Sequence, residues 1–240
     1  MNKQQLASKI WESANKMRSK IEANEYKDYI LGFIFYKFLS ETELMRLKAS
    51  DFTEDDLPQL TEDDPDIVEF VQGECGYFIA YDNLFSTWVK QGNDFEISNV
   101  RDALSAFSRN INPAHRKVFD GIFDTLQTGL SKLGTDARSQ SKAARDLIYL
   151  IKDIPMDGRQ DYDVLGFIYE YLISNFAANA GKKAGEFYTP SEVSQLMSEI
   201  VAWHLQGREQ IKIYDPTSGS GSLLIHIGQA VARHVLRAGA

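Results

Sequence analysis

The sequence predicts a mainly helical N-terminal domain over residues 1–175, followed over 176–240 by the first strand–loop–helix of a doubly wound α/β domain. Three observations carry this expectation. Apolar residues recur at three- and four-residue steps through most of the first part. An alternating, β-branched run, Ile211-Lys-Ile-Tyr-Asp, stops at Pro216. A glycine-rich loop, Gly219-Ser-Gly-Ser, then opens onto an apolar helix.

Taken in order, Leu6, Ile10, Ala14, Met17 and Ile21 lie on one face of a first helix. A second runs from about Tyr26 to Lys48, and its stretch Ile30-Leu-Gly-Phe-Ile-Phe-Tyr is apolar almost all round, which predicts burial within a bundle. Pro58 and Pro65 interrupt the pattern, and Tyr77–Tyr81 reads as a short extended piece after Gly73 and Gly76. Further helices are expected over Ile97–Asn110, Pro113–Leu130, Gln140–Lys152 and Val164–Ala178. Asn112 with Pro113 supplies a cap and first-turn proline for the second of these. After the small, flexible Ala180-Gly-Lys-Lys-Ala-Gly come a helix over Ser191–Leu205, the strand at Ile211–Asp215, and a helix over Leu223–Leu236. One strand cannot build a parallel sheet, because its ladder groups and both faces need neighbours. The chain therefore reads as a piece of a longer protein.

Composition bounds the chemistry. The single cysteine, Cys75, excludes disulfide scaffolds and cysteine zinc sites. The histidines His115, His204, His226 and His234 show no recognised ligand spacing, so no metal is expected. There is no apolar run of membrane-spanning length and no signal-peptide layout, so the expectation is a cytoplasmic protein away from membranes. The net charge of −8 is local in origin: eight carboxylates lie between Asp51 and Asp66 with no base among them. Such a block reads as a solvated loop. Residues 101–152 carry nine Lys/Arg against five Asp, a patch that suits phosphate but is also common on neutral enzymes.

Asp215-Pro-Thr-Ser-Gly-Ser-Gly-Ser is the sharpest motif, a strand ending in a carboxylate and a Gly-x-Gly opening a helix. Glycines let backbone approach a ligand with no Cβ in the way. A P-loop ends in Gly-Lys-Ser/Thr, whereas Gly221 is followed by Ser222, Leu223 and Leu224, which excludes a nucleoside triphosphatase. A dinucleotide fingerprint wants glycine where Leu224 stands, so NAD and FAD are disfavoured. S-adenosylmethionine carries an ammonium that Asp215 suits. Thirty positions upstream, Gly185-Glu-Phe-Tyr-Thr-Pro places two aromatics before a Thr-Pro helix start. Those rings offer cation–π contact to a sulfonium, on the order of 0.5–2 kcal/mol, or act as a plain hydrophobic staple.

Together the two motifs resemble motifs X and I of amino-methylating DNA methyltransferases, in the order of the adenine-N6 enzymes. The run from Val164 through Gly-Lys-Lys-Ala-Gly-Glu-Phe-Tyr-Thr-Pro, with Trp11 and the Tyr29–Leu39 stretch, resembles the modification (M) subunit of type I restriction–modification systems. The resemblance implies a Rossmann-like S-adenosyl-L-methionine-dependent methyltransferase domain, truncated here. Glu186, Phe187, Tyr188, Thr189, Pro190 and Ser191 would line the cofactor from one side. Asp215, Gly219, Ser220, Gly221 and Ser222 would cradle its methionine moiety and ribose. Implied partners are double-stranded DNA, a specificity (S) subunit, a second M subunit and a restriction (R) subunit. The helical domain would contact DNA or those subunits.

The resembled enzymes flip the target adenine out of the duplex, at a cost of about a few kcal/mol. They hold its amine with an Asn/Asp-Pro-Pro-Phe/Tyr motif. That motif does not occur in these 240 residues. Asn112-Pro-Ala-His lacks its second proline and aromatic, and the acidic residue expected after a second strand is also missing. No catalytic residue is assigned, and the chain alone is expected to be inactive. Competing readings are a helical module that binds a specificity subunit, a stand-alone or fused adenine methylase, and a dinucleotide oxidoreductase.

Overall fold

The computed structural model describes residues 1–17, 26–157, 160, 163–179, 189–208, 210–218 and 221–238. These form eleven α-helices with short 3-10 turns between them. The chain divides into two compact units, Met1–Tyr169 and Glu170–Ala240.

In the first unit, α1 (Lys3–Met17) starts with a reciprocal cap. The Asn2 side chain accepts from Gln5 N–H at 2.8 Å, and the Gln5 side chain accepts from Asn2 N–H at 3.0 Å. The long α2 (Tyr26–Ala49) is the centre, packed by α1, α3 (Pro65–Cys75), α4 (Phe85–Gln91), α7 (Asp124–Gly129) and α8 (Ala137–Ile151). Ile30, Phe33, Ile34, Tyr36 and Leu39 are all buried, as an all-round apolar stretch requires. Tyr36 stacks on Trp88 with ring centroids 4.7 Å apart, and Phe123 fills between Tyr36 and Phe107. The Tyr29 hydroxyl donates to the Gly129 carbonyl at 3.0 Å. A Cβ at 129 would stand 2.6 Å from that hydroxyl, so this approach of α2 and α7 requires glycine.

Two charged side chains, Lys37 and Glu43, are buried in this core among the described residues. Lys37 donates to the Ile154 carbonyl at 2.7 Å and pairs with Glu41, which ties the turn after α8 to α2. Burial lowers its pKa, and Glu41 opposes that shift. Glu43 accepts from Ile79 N–H at 3.0 Å through one oxygen, while the other has no partner among the described residues. Burial raises its carboxyl well above the usual range, a shift only partly offset by the Ile79 hydrogen bond.

Several sequence expectations change here. The segment with Pro65 does not only interrupt: Asp64 accepts from Asp66 N–H and Ile67 N–H, Pro65 takes the first turn, and α3 follows. The α4 helix is too short for periodicity to reveal. The helix expected over Pro113–Leu130 is broken into a 3-10 turn, α6 (Arg116–Phe119) and α7, because Asp120 is extended and Gly121 takes φ 74°. Between these come α5 (Ile97–Arg109) and, later, α9 (Val164–Asn179), both close to expectation. The acidic block is indeed solvated, anchored by buried Leu57 and Leu60.

The second unit holds α10 (Ser191–His204) and α11 (Ser222–Ala238). The mainly helical character is as expected, while the expected strand at Ile211–Asp215 is not formed among the described residues. The described residues contain no strand, only an isolated bridge between Tyr77 and Ile111. The physical reason is the one that the sequence itself announces. A β-strand is defined by ladder hydrogen bonds, and no second strand is present here to make them.

Candidate functional site

The helices α10 and α11 lie side by side and run parallel, as three links along their length establish. Ser194 Oγ lies 2.6 Å from His226 Nδ1 near both N-termini. Further along, Glu199 pairs with Arg233 and, at 2.9 Å, with His234 Nε2. Near the far end, Trp203 packs edge-on against His234. The hydrogen bond from His234 and then the Arg233 contact hold the Glu199 carboxyl below its usual range. Small side chains set the spacing: Ser194, Ser198 and Ala202 on α10 and Ala230 on α11 are all buried. A parallel pair puts both N-termini at one end. Ser191 and Ser222, which open the two helices, therefore stand at the same end of the pair.

Each site residue has a defined role in that local structure, or lies outside the description. Pro190 caps α10, its carbonyl accepting from Val193 N–H and Ser194 N–H at 3.0 Å, with Thr189 before it and Ser191 opening the helix. Asp215 Oδ1 accepts from Thr217 N–H at 2.9 Å and closes a turn. Its other oxygen, Oδ2, is buried with no partner among the described residues. An unpaired buried carboxylate oxygen is costly, so this atom is suited to a donor supplied by a ligand. Gly221 N–H donates to the Ser218 carbonyl at 2.7 Å. Gly221 takes φ 77°, with open space where a Cβ would stand, and α11 starts at Ser222. Glu186, Phe187, Tyr188, Gly219 and Ser220 lie outside the described residues.

Comparison with known proteins identifies the family. A profile of the HsdM N-terminal domain matches residues 6–151, and one of the N-6 DNA Methylase family matches residues 160–238. The chain belongs to the methylase-subunit family of type I restriction–modification systems. A solved relative, the type I restriction–modification methyltransferase subunit of Streptococcus thermophilus, superposes with a TM-score of 0.75 at 31% identity, over 98% of this chain and 51% of that one. The type I restriction enzyme MpnII methylase subunit of Mycoplasma pneumoniae is 29% identical over 91% of this chain and 43% of its own length. The MjaIX methylase subunit of Methanocaldococcus jannaschii is 25% identical over 91% of this chain and 38% of its length. The chain thus spans about half or less of these methylase subunits.

Other polar features of this methylase-family chain have structural explanations. The Asn112 side chain accepts from Ala114 N–H at 2.9 Å as a cap, which accounts for Asn112-Pro-Ala-His without chemistry. Burial first, and then the carboxyl of Glu43, push the Cys75 thiol up to about 12, so it stays protonated and unreactive at neutral pH. No described helix is long and apolar enough to cross a membrane. The contact between Ser194 and His226 is not legible in the sequence. They stand 32 positions apart, and no spacing rule relates residues that only helix packing brings together.

Proposed function

We propose that this chain is the N-terminal part of an adenine-N6 DNA methyltransferase subunit, with a helical domain over 1–175 and the start of a cofactor domain from 176. The reading is supported above all by the parallel course of α10 and α11, which brings their starts at Ser191 and Ser222 to one end of the pair. The Asp215 oxygen that has no partner among the described residues and the open side of Gly221 fit S-adenosyl-L-methionine. When bound, that cofactor supplies the methyl group.

The chain's own contribution is recognition of a zwitterion. Asp215 would take the ammonium of the amino-acid tail. The N-terminal ends of α10 and α11, each carrying partial positive charge, favour its carboxylate. Gly221 keeps the backbone clear of side chains, and Phe187 and Tyr188 would offer their rings to the sulfonium. The base-holding Asn/Asp-Pro-Pro-Phe/Tyr motif does not occur in these residues, so methyl transfer needs groups supplied from elsewhere. DNA, the specificity subunit, a second M subunit and the restriction subunit are the proposed partners. The Lys/Arg of residues 101–152 are the first place to look for their contacts.

The test is calorimetric titration of the full gene product with S-adenosylmethionine and, separately, with NADH. Saturable binding of the first only, weakened about tenfold or more in Asp215→Asn, is expected. Binding of NADH instead would point to a dinucleotide enzyme. The 240-residue chain alone should transfer no labelled methyl group to DNA.

A further inference from the structure

We propose that Ser194 and His226 are positioning residues that hold the two cofactor loops in register. The inference rests on the methyltransferase reading above and goes beyond it by assigning a role to two residues outside both motifs. Ser194 is three positions into α10 from Ser191, and His226 is four positions into α11 from Ser222. Their contact therefore sits about one helical turn behind both loops. Ser194 is fully buried, and the 2.6 Å separation is that of a hydrogen bond. With the imidazole proton on Nε2, the serine hydroxyl donates to Nδ1.

The surrounding packing explains why a polar tie is needed at this point. The buried residues of α10 are Ser194, Ser198 and Ala202, and Ala230 is the buried residue of α11 among those described. Such small side chains let helices approach closely but present shallow ridges, which resist sliding poorly. A slip of one helix along the other carries its loop with it. For a ligand gripped from both sides, a displacement of about 1 Å takes a hydrogen bond beyond its working distance. The Ser194–His226 hydrogen bond fixes the register where it matters. The Glu199 links to Arg233 and His234 are more exposed and lie more than a turn further from the loops. They hold the pair together without setting the loop spacing.

The experiment uses the full gene product and measures the Kd of S-adenosylmethionine and S-adenosylhomocysteine alongside Tm. Ser194→Ala and His226→Leu should each weaken both ligands about five- to tenfold, and the double variant no more than either. His226→Asn returns a side-chain amide oxygen to the neighbourhood of Nδ1 and should recover most of that loss. Glu199→Gln should lower Tm and leave both Kd values unchanged. Wild-type affinity in Ser194→Ala and His226→Leu overturns the proposal. So does an equal loss of affinity in Glu199→Gln, which would make the effect one of helix-pair stability. If His226→Leu does not fold, Ser194→Ala and His226→Asn decide the matter in the same way. Failure of the wild type to bind S-adenosylmethionine would instead sink the underlying reading, a separate and visible result.

Discussion

Glu43 and Asp215 are both carboxylates with one oxygen satisfied and one unpaired among the described residues, but they differ in what surrounds them. Glu43 lies in the core of the first unit, where burial favours its protonated form. The unfolded chain releases that proton near 4.5, whereas the folded protein keeps it to higher pH. The contribution is therefore fully present below about 4.5 and is lost as pH rises through the raised folded value. Glu43→Gln keeps the hydrogen bond from Ile79 N–H and removes the ionisation. Urea unfolding should find the variant more stable than wild type by about 1–3 kcal/mol at pH 8, with the gap closing towards pH 4. A gap that does not change with pH would contradict this. Asp215, by contrast, closes a turn with Thr217 in the second unit, and is proposed above to meet a ligand. No motif marks Ser194 or His226, whose significance comes only from their meeting.

Helix α3 shows how a local signal can be present and still be misread. Pro65 looks like a breaker when the acidic block around it draws attention, yet Asp64-Pro65 is a cap and first-turn pair that starts a helix. Replacing Asp64 by alanine leaves the Asp66 and Ile67 N–H groups without their acceptor and should cost about 1 kcal/mol in chemical denaturation. Asp64→Ser should restore most of it. An Asp64→Ala variant as stable as wild type would mean that α3 is held by packing alone. Long periodic helices such as α2, α5 and α10 matched their expected bounds to within a few residues, because burial of one face is written in their spacing. The region around α6 and α7 did not, since one residue at positive φ, Gly121, ends what the apolar pattern would continue.

At the scale of the whole molecule, the two units present different surfaces. The first keeps most of its large apolar groups inside, with Val118 and Phe70 among the exceptions. On α10, by contrast, Leu196 is 63% exposed, Trp203 64% and Ile200 54%. Apolar area of this kind on one helix promotes association in water. The 240-residue chain should bind a hydrophobic dye and self-associate in light scattering. Leu196→Gln with Ile200→Gln should reduce both signals. Unchanged scattering would show that this face does not govern solubility.

The sequence by itself determined the mainly helical character, the order of the motifs and the identity of the residues proposed to meet the cofactor. These properties are local: a cap, a periodicity of 3.6, or a glycine where backbone must come close each depends on a handful of neighbours. Tertiary structure decided the rest. The parallel course of α10 and α11 and the Ser194–His226 link arise from packing between positions distant in sequence. The burial of Lys37 and Glu43 within an otherwise apolar core has the same origin. The Ile211–Asp215 segment marks the boundary between the two. Its alternation encodes a strand, but a strand exists only through partners, and pairing is a property of the sheet and not of the segment.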